Sequence, residues 1–122
     1  MKIQLAIGVD IVEGELYEHP VAREFAATLP LELAFSDFNR MEKVARLERE
    51  LTLRGVPDAD APEPGEIGYH APQRNLVLYY ADPGRWSGLV RMGRFDYDLD
   101  ALRDLPDGTV VGIAARDTPN AS

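Results

Sequence analysis

The residues best suited to chemistry in this sequence are an arginine, a glutamate and several aromatic residues. Arg91 stands between the apolar residues Val90 and Met92, so a strand that turned this arginine inward would require a partner for its charge. We expect that partner to be Glu42. Such pairs are more often structural than functional, but at the mouth of a pocket a guanidinium also holds a carboxylate or a peptide carbonyl.

Aromatic side chains would form the walls of this site. Tyr69, Tyr80 and Trp86 are candidates, because rings with a polar tip offer both apolar surface and a hydrogen bond. Aromatic residues in strands belong to the core more often than to a binding site, and that alternative stays open. We predict a ligand-binding set of Arg91, Glu42, Tyr69, Tyr80 and Trp86.

Other kinds of chemistry find little support. His19 and His70 are far apart and neither has a second histidine at metal-ligand spacing. The acidic residues of the segment 58–63 lack the glycine and the terminal glutamate of a calcium loop. Neither a serine next to a histidine nor a glycine-rich phosphate loop is present. The sequence therefore predicts no metal, no cofactor and no catalytic residue.

Composition restricts the possible partners and the compartment. The chain has 122 residues with 13 Lys and Arg against 21 Asp and Glu, which gives a net charge of −8. An acidic protein of this kind repels the phosphates of nucleic acids. No apolar run reaches the length of a membrane span, and there is no cysteine. We expect a cytoplasmic protein that binds neither nucleic acid nor membrane.

The strand pattern centres on Asn75–Tyr80, where every residue after the asparagine is aliphatic, β-branched or aromatic. Such a run is typical of a central strand that is buried on both faces. Ala71–Arg74 is interpreted as a turn because Pro72 cannot donate to a ladder. Further strands are predicted over Lys2–Ile7, Ile11–Tyr17, Leu31–Phe35, a segment with Ile67 and Tyr69, Leu89–Phe95 and Thr109–Ala115.

Two short helices are predicted, one over His19–Leu29 and one single turn capped by Asp98. The segment Met41–Leu53 fits either an amphipathic helix or a strand through Lys43–Leu47, and we favour the strand for its first half.

The turns and loops between these elements can also be predicted from the sequence. Ser36–Arg40 is predicted as a turn, and the proline-rich stretch Arg54–Gly65 as an exposed loop unable to form a ladder. The loop Ala81–Gly88 carries Trp86. Residues 1–116 would form one domain and residues 117–122 a flexible tail. About seven predicted strands with two short helices indicate a mainly β protein. We predict a closed antiparallel barrel, because closure leaves no exposed strand edges.

Several local sequences resemble a known family. ELYEHPVAREFAATLP, from Glu15 to Pro30, is similar to the cyclophilin segment in which a strand leads through a proline into a helix. LPLELAFSDFN with the following Glu42-Lys43, GEIGYHAPQRNLVLYY from Gly65 to Tyr80, and RMGRF from Arg91 to Phe95 resemble small bacterial and archaeal cyclophilin-like proteins of uncharacterised function. The resemblance covers nearly the whole chain. It implies an antiparallel barrel of about eight strands with one or two short helices capping its ends.

The same resemblance argues against isomerase chemistry. Cyclophilin isomerases have an arginine in a Phe-His-Arg strand after the first helix, followed by a Gln-Gly-Gly-Asp segment and later by a tryptophan and a histidine. The corresponding strand here, Leu31–Asp37, has no arginine, and no Gln-Gly-Gly follows it. Trp86 falls near the position of the tryptophan, but Leu89 or a neighbour occupies that of the histidine. Most of the isomerase residues are therefore missing.

Three functions remain open at this point. The first is a non-catalytic cyclophilin-like domain that binds a small ligand or a peptide at the barrel mouth. The second is a protein–protein interaction module, because related domains occur in subunits of oxoprolinase and carboxylase-type enzymes. The third is a weak peptidyl-prolyl cis-trans isomerase.

Overall fold

The computed structural model describes residues 1–116 and is mainly β. The tail predicted over residues 117–122 lies outside the described residues. The strands are β1 (Lys2–Ile7), β2 (Asp10–Leu16), β3 (Leu31–Phe38), β4 (Glu42–Arg46), β5 (Ala59–Asp60), β6 (Glu66–His70), β7 (Asn75–Tyr79), β8 (Trp86–Ser87), β9 (Leu89–Asp96) and β10 (Thr109–Ala115). The helices are α1 (Pro20–Ala26) and α2 (Leu99–Arg103), and Ala71–Gln73 forms one 3-10 turn.

Eight of these strands close into one antiparallel barrel in the order β1-β10-β3-β4-β7-β6-β9-β2. Closure depends on β10, which pairs with β1 on one side and with β3 on the other. The long strands therefore have no unpaired edge. A register shift between Ile67 and Gly68 interrupts the pairing of β6 with β9, and irregularities of this kind bend a sheet locally. The predicted closed barrel of about eight strands is confirmed.

Alternate residues of each strand fill the barrel. Leu76 and Leu78 of β7 belong to the interior core, whereas Tyr79 belongs to a separate buried cluster on the opposite face of the strand. Phe25 of α1 and Leu102 of α2 extend the interior core. Because α1 follows β2 and α2 follows the antiparallel β9, the two helices cap opposite ends. The interior is thus packed with side chains and has closed ends.

The start of α1 is fixed by His19, which also ties the helix to the barrel. Its Nδ1 accepts a hydrogen bond from the backbone N–H of Ala22 at 3.1 Å, and its Nε2 lies 2.9 Å from the carbonyl oxygen of Arg91 in β9. Since Nδ1 is an acceptor, the ring proton is on Nε2 and is donated to that carbonyl. Pro20 occupies the first turn, where its missing N–H costs nothing. The histidine is therefore a helix cap.

The first half of Met41–Leu53 is a strand, as we favoured, since β4 covers Glu42–Arg46. The predicted turn Ser36–Arg40 is wrong for its first three residues, because β3 continues to Phe38. Asn39, Arg40 and Met41 make the reversal, and the first two have φ of 55°. Strand β3 is longer than predicted because Ser36, Asp37 and Phe38 pair with β4.

The prediction that Arg54–Gly65 cannot form a ladder is also wrong. Ala59 and Asp60 pair with Ser87 and Trp86 as a two-stranded ribbon, β5–β8. The three prolines of this stretch lie outside the paired positions, so none removes a ladder hydrogen bond. Neither helix in residues 1–116 has the length and apolar character needed to cross a membrane.

Candidate functional site

The outer wall of the barrel carries a second apolar cluster. Val77, Tyr79 and Leu89 are buried there, with Val44 packed against them. These residues lie on β4, β7 and β9, on the faces that alternate with the interior positions. A run that is apolar on both faces of β7 therefore serves two purposes, because one face fills the barrel and the other forms an outer apolar surface.

A groove of about 350 Å³ lies beside this outer cluster. Its apolar lining consists of Phe38, Met41, Val44, Pro83, Trp86 and Leu89. Its polar lining consists of Asn39, Glu42, His70, Gln73 and Asn75. The loop after β7 supplies one wall, and the reversal between β3 and β4 supplies another. We expected a ligand at the barrel mouth, whereas this groove lies on the outer wall of the barrel.

Glu42 is the acidic group of this groove. It is half-buried at the start of β4, opposite Tyr79 of β7. Burial, with a smaller contribution from the negative charge of Asp37, raises the pKa of Glu42 to about 7. Within residues 1–116 its carboxyl group makes no hydrogen bond or ion pair. Glu42 therefore combines access to a cavity with a charge that changes near neutral pH.

The expected pair between Arg91 and Glu42 is wrong. Arg91 forms a two-point ion pair with Glu66, with Nε 2.8 Å from Oε1 and Nη2 2.9 Å from Oε2. In the barrel order, β7 and β6 separate β4 from β9. Neighbouring strands lie about 4.8 Å apart, so three spacings, or roughly 14 Å, separate the backbones at Glu42 and Arg91. Glu66 lies on the adjacent strand, β6, and is the partner within reach.

Glu66 is the centre of a structural network. Its side chain is 7% exposed, and it accepts a hydrogen bond from the Tyr17 hydroxyl at 2.6 Å and another from the Glu63 backbone N–H at 2.7 Å. Burial acts to raise the pKa of Glu66, but the hydrogen bonds from Arg91 and Tyr17 outweigh it and hold that pKa below its usual range. Glu63 also contacts Arg91, at 3.2 Å. The guanidinium is thus engaged by two carboxylates of its own chain.

Two of the predicted aromatic residues lie away from the groove lining. Tyr69 is 1% exposed in the interior core, where its hydroxyl oxygen accepts a hydrogen bond from the backbone N–H of Leu51 at 3.0 Å. Its alternation with Gly68 and His70 turns it inward. Tyr80 donates a hydrogen bond of 2.5 Å to Asp37. Burial and this hydrogen bond raise the pKa of Tyr80 to about 12.

Asp37 also forms an ion pair with the buried Lys43, whose Nζ lies 3.3 Å from Asp37 Oδ1. The Lys43 ammonium group donates to the carbonyl oxygen of Leu105 beside α2 at 2.9 Å. Burial acts to raise the pKa of Asp37, but the hydrogen bonds from Tyr80 and Lys43 outweigh it and lower that pKa. Lys43 therefore belongs to the capped end of the barrel and its charge is balanced there.

Trp86 lines the groove. It is 59% exposed, and its Nε1 donates a hydrogen bond of 2.6 Å to the Pro83 carbonyl oxygen. The structure therefore brings together Glu42 and Trp86 from the predicted set. It adds Phe38, which is 51% exposed, and His70, whose pKa is lowered by burial. Phe38 was missed because it was assigned to a turn, and His70 because it was considered only as a metal ligand.

Two other depressions lie on the side of the barrel formed by β1, β2 and β9. They are open and mainly polar, and two ion pairs across strands lie in them, Arg94 with Glu15 at 3.0 Å and Arg116 with Glu13. Among residues 1–116, no three His, Cys, Asp or Glu side chains are grouped so that they could hold a metal ion. Among these three depressions of the described residues, the groove at Glu42 has the mainly apolar lining.

The fold agrees with the comparisons to known proteins. A sequence model of the cyclophilin-like family matches residues 5–114, so the chain belongs to the cyclophilin-like family. Its structure is also similar to the solution structure of the hypothetical protein AF2241 from Archaeoglobus fulgidus, with a TM-score of 0.68 and 18% identity over 95% of each chain. No curated protein matches this sequence. At that level of identity, the structural similarity concerns the fold alone.

Proposed function

We propose that this cyclophilin-like domain binds a small ligand or a peptide segment in the outer groove and does not catalyse a reaction. The observation that carries the proposal is a cavity of about 350 Å³ that combines apolar walls with the unpartnered carboxyl group of Glu42. Ligand sites are typically concave and mostly apolar, with a few polar groups that orient the ligand. Asn75 and Gln73 add amide donors and acceptors to the lining.

The positions of the lysine and arginine side chains favour binding without catalysis. A prolyl isomerase stabilises a rotating amide with a positive group beside an apolar pocket. The described lining of the groove contains no lysine or arginine. Arg91, the arginine nearest in sequence to the groove residue Leu89, is held by Glu66 and Glu63. Its guanidinium is occupied by the protein's own carboxylates.

The test is a thermal-shift screen of metabolites and short peptides, followed by NMR titration of the compounds that stabilise the protein. A ligand at about 100 times its dissociation constant stabilises the folded state by about 2.7 kcal/mol. We expect chemical-shift changes to concentrate at groove residues. Trp86→Ala should weaken binding, whereas Val110→Ala, which truncates an exposed residue of β10, should not. Equal effects of the two substitutions would contradict the location of the site.

Isomerase activity is tested separately with a proline-containing peptide. We expect no acceleration of cis-trans exchange above the uncatalysed rate. A measurable rate that is abolished by Arg91→Ala and retained by Arg94→Ala would overturn the non-catalytic assignment. Arg94 is a suitable control because it forms its ion pair with an exposed partner, Glu15.

A second candidate function is a protein–protein interaction module or a subunit of a multi-component enzyme. It is favoured by the two exposed aromatic residues of the groove, Phe38 and Trp86, because exposed aromatic residues are common at interfaces. A partner retained by the wild-type protein but lost with Trp86→Ala would support this function. Equal retention by both proteins would place any such interface elsewhere.

We also propose that the protein acts in the cytoplasm. The basis is the absence of cysteine, since small extracellular domains are often stabilised by disulfides. Cell fractionation of the producing organism tests this location, and recovery from the secreted or membrane fraction would contradict it.

A further inference from the structure

The groove has an electrostatic character that narrows the chemistry of its ligand. Its described lining includes one carboxyl group, that of Glu42, and no lysine or arginine. Asp37 lies close enough for its negative charge to affect the ionisation of Glu42, and the chain as a whole carries a net charge of −8. A cleft with low-dielectric walls and charges of one sign concentrates ions of the opposite sign. The field of this groove therefore favours cations.

Two cations of neighbouring positions, Lys43 and Arg91, do not neutralise this groove. Lys43 follows Glu42 in sequence, but its side chain turns into the barrel, where it pairs with Asp37 and donates to the Leu105 carbonyl oxygen. Arg91 is bound by Glu66. The carboxyl group of Glu42 is thus left without a partner among residues 1–116, and the natural partner for a half-buried carboxylate is a positive charge.

Aromatic rings supply the second element of cation recognition. Trp86 and Phe38 both line the groove and are 59% and 51% exposed. The face of an aromatic ring attracts a cation, tryptophan most strongly, and quaternary ammonium ligands are bound in this way. Two exposed rings and a carboxyl group in the same cavity form the set of side chains that such ligands require. Val44 and Leu89 provide apolar surface for the rest of the ligand.

We propose that the groove binds a small organic cation, an ammonium group attached to a short apolar or hydroxylated body, with the ammonium held by Glu42 between Trp86 and Phe38. This inference rests on the proposed function and specifies its ligand. A cavity of about 350 Å³ is at the small end of the range of ligand sites. Its size accommodates a free small molecule, which is the occupant we propose.

Binding of the cation should be coupled to the release of a proton from the protein. Only the ionised form of Glu42 attracts the cation, so affinity should rise with pH as this group loses its proton near pH 7. Three other titratable groups face this region from the neighbouring strands. Asp37 remains ionised because its pKa is lowered, His70 remains neutral near pH 7 because burial lowers its pKa, and Tyr79 remains neutral because burial raises its pKa. Glu42 is therefore the group that should release a proton on binding.

The test compares choline with its neutral carbon isostere, 3,3-dimethyl-1-butanol, by NMR titration of the full chain. Near pH 8 we expect choline to bind at least about tenfold more tightly than the isostere. The preference should diminish towards pH 5. Calorimetry in two buffers of different ionisation enthalpy should show proton release on choline binding near pH 7.

Two variants test whether the carboxyl group of Glu42 causes the preference for the cation. Glu42→Gln should abolish the preference for choline over the isostere and the proton release. Glu48→Gln, which removes a negative charge at an exposed position that does not line the groove, should retain both. Persistence of the choline preference in Glu42→Gln would overturn the assigned role of the carboxyl group.

The remaining outcomes distinguish this inference from the proposed function. Equal binding of choline and the isostere would overturn the cation preference and leave a ligand-binding groove. If neither compound bound, the cation inference would be refuted, and the proposed function would fail as well only if the wider screen also produced no ligand. Tighter binding of N-acetyl-lysine methylamide than of choline would replace the small molecule with a peptide side chain.

Discussion

The stability of the protein should depend on pH through Glu42, and Glu42→Gln should remove that dependence. The pKa of Glu42 rises from 4.5 to about 7 on folding, mainly because of burial. The folded state therefore binds this proton more tightly than the unfolded state. Stability from Glu42 is fully present below about pH 4.5 and is lost as the pH rises through about 7.

The magnitude follows from the difference between the two states. Each unit of pKa difference corresponds to about 1.4 kcal/mol, so the upper limit is about 3–4 kcal/mol. Because Glu42 keeps part of its surface in water, we expect about 2 kcal/mol between pH 5 and pH 8. The quantity to compare is the free energy of unfolding of the wild type minus that of Glu42→Gln, since all other titrating groups are present in both proteins.

Urea unfolding at several pH values between 5 and 8 measures this difference. The wild type should lose stability relative to Glu42→Gln as the pH rises, with most of the loss complete above about pH 7. Glu48→Gln removes an exposed carboxylate and controls for the change in net charge. Parallel pH profiles of wild type and Glu42→Gln would refute the reasoning, because they would mean that the carboxyl group is as well solvated in the folded state as in the unfolded chain.

Three further predictions concern the barrel wall and are tested by urea unfolding. Tyr79→Phe should raise the free energy of unfolding by about 1 kcal/mol, because the Tyr79 hydroxyl is buried without a hydrogen-bond partner among the described residues. A decrease in the free energy of unfolding by more than about 1 kcal/mol would mean that the hydroxyl group does have a partner. Arg91→Met should lower the free energy of unfolding by about 2 kcal/mol, because the buried carboxylate of Glu66 loses its ion pair. Arg94→Met breaks an exposed ion pair and should lower it by less than about 1 kcal/mol. Equal losses in the two variants would contradict the central place of Glu66. Gly68→Ala should lower it by about 1–3 kcal/mol, because a Cβ would lie 2.7 Å from the ring of Tyr79, and an unchanged stability would show that the ring moves freely.

Most of the fold was predictable because it depends on local patterns. The apolar run of β7 predicted a strand that is buried on both faces, and four of its five residues are buried. The alternation of Lys2–Ile7 and the largely apolar segment Leu89–Phe95 likewise predicted β1 and most of β9. The errors fell where pairing with a distant segment decides the outcome. Strand β3 extends to Phe38 because β4 lies beside it, and β5 exists because Trp86 and Ser87 lie next to it.

The candidate site was only partly predictable. Glu42 and Trp86 do line one groove, but Tyr69 and Tyr80 do not, and Arg91 pairs with Glu66. Side-chain direction along a strand alternates, so a shift of one residue sends a tyrosine into the core instead of the cavity.

The sequence by itself determined most of the barrel strands, the two short helices and the acidic character of the chain, because each depends on the residue types within a short segment. Tertiary structure alone decided which strands are neighbours, and with that the partner of Arg91, the unpartnered state of Glu42 and the position of the groove on the outer wall. The physical reason is that strand order fixes distances across a sheet. Residues on adjacent strands come within hydrogen-bonding reach, and residues three strands apart do not.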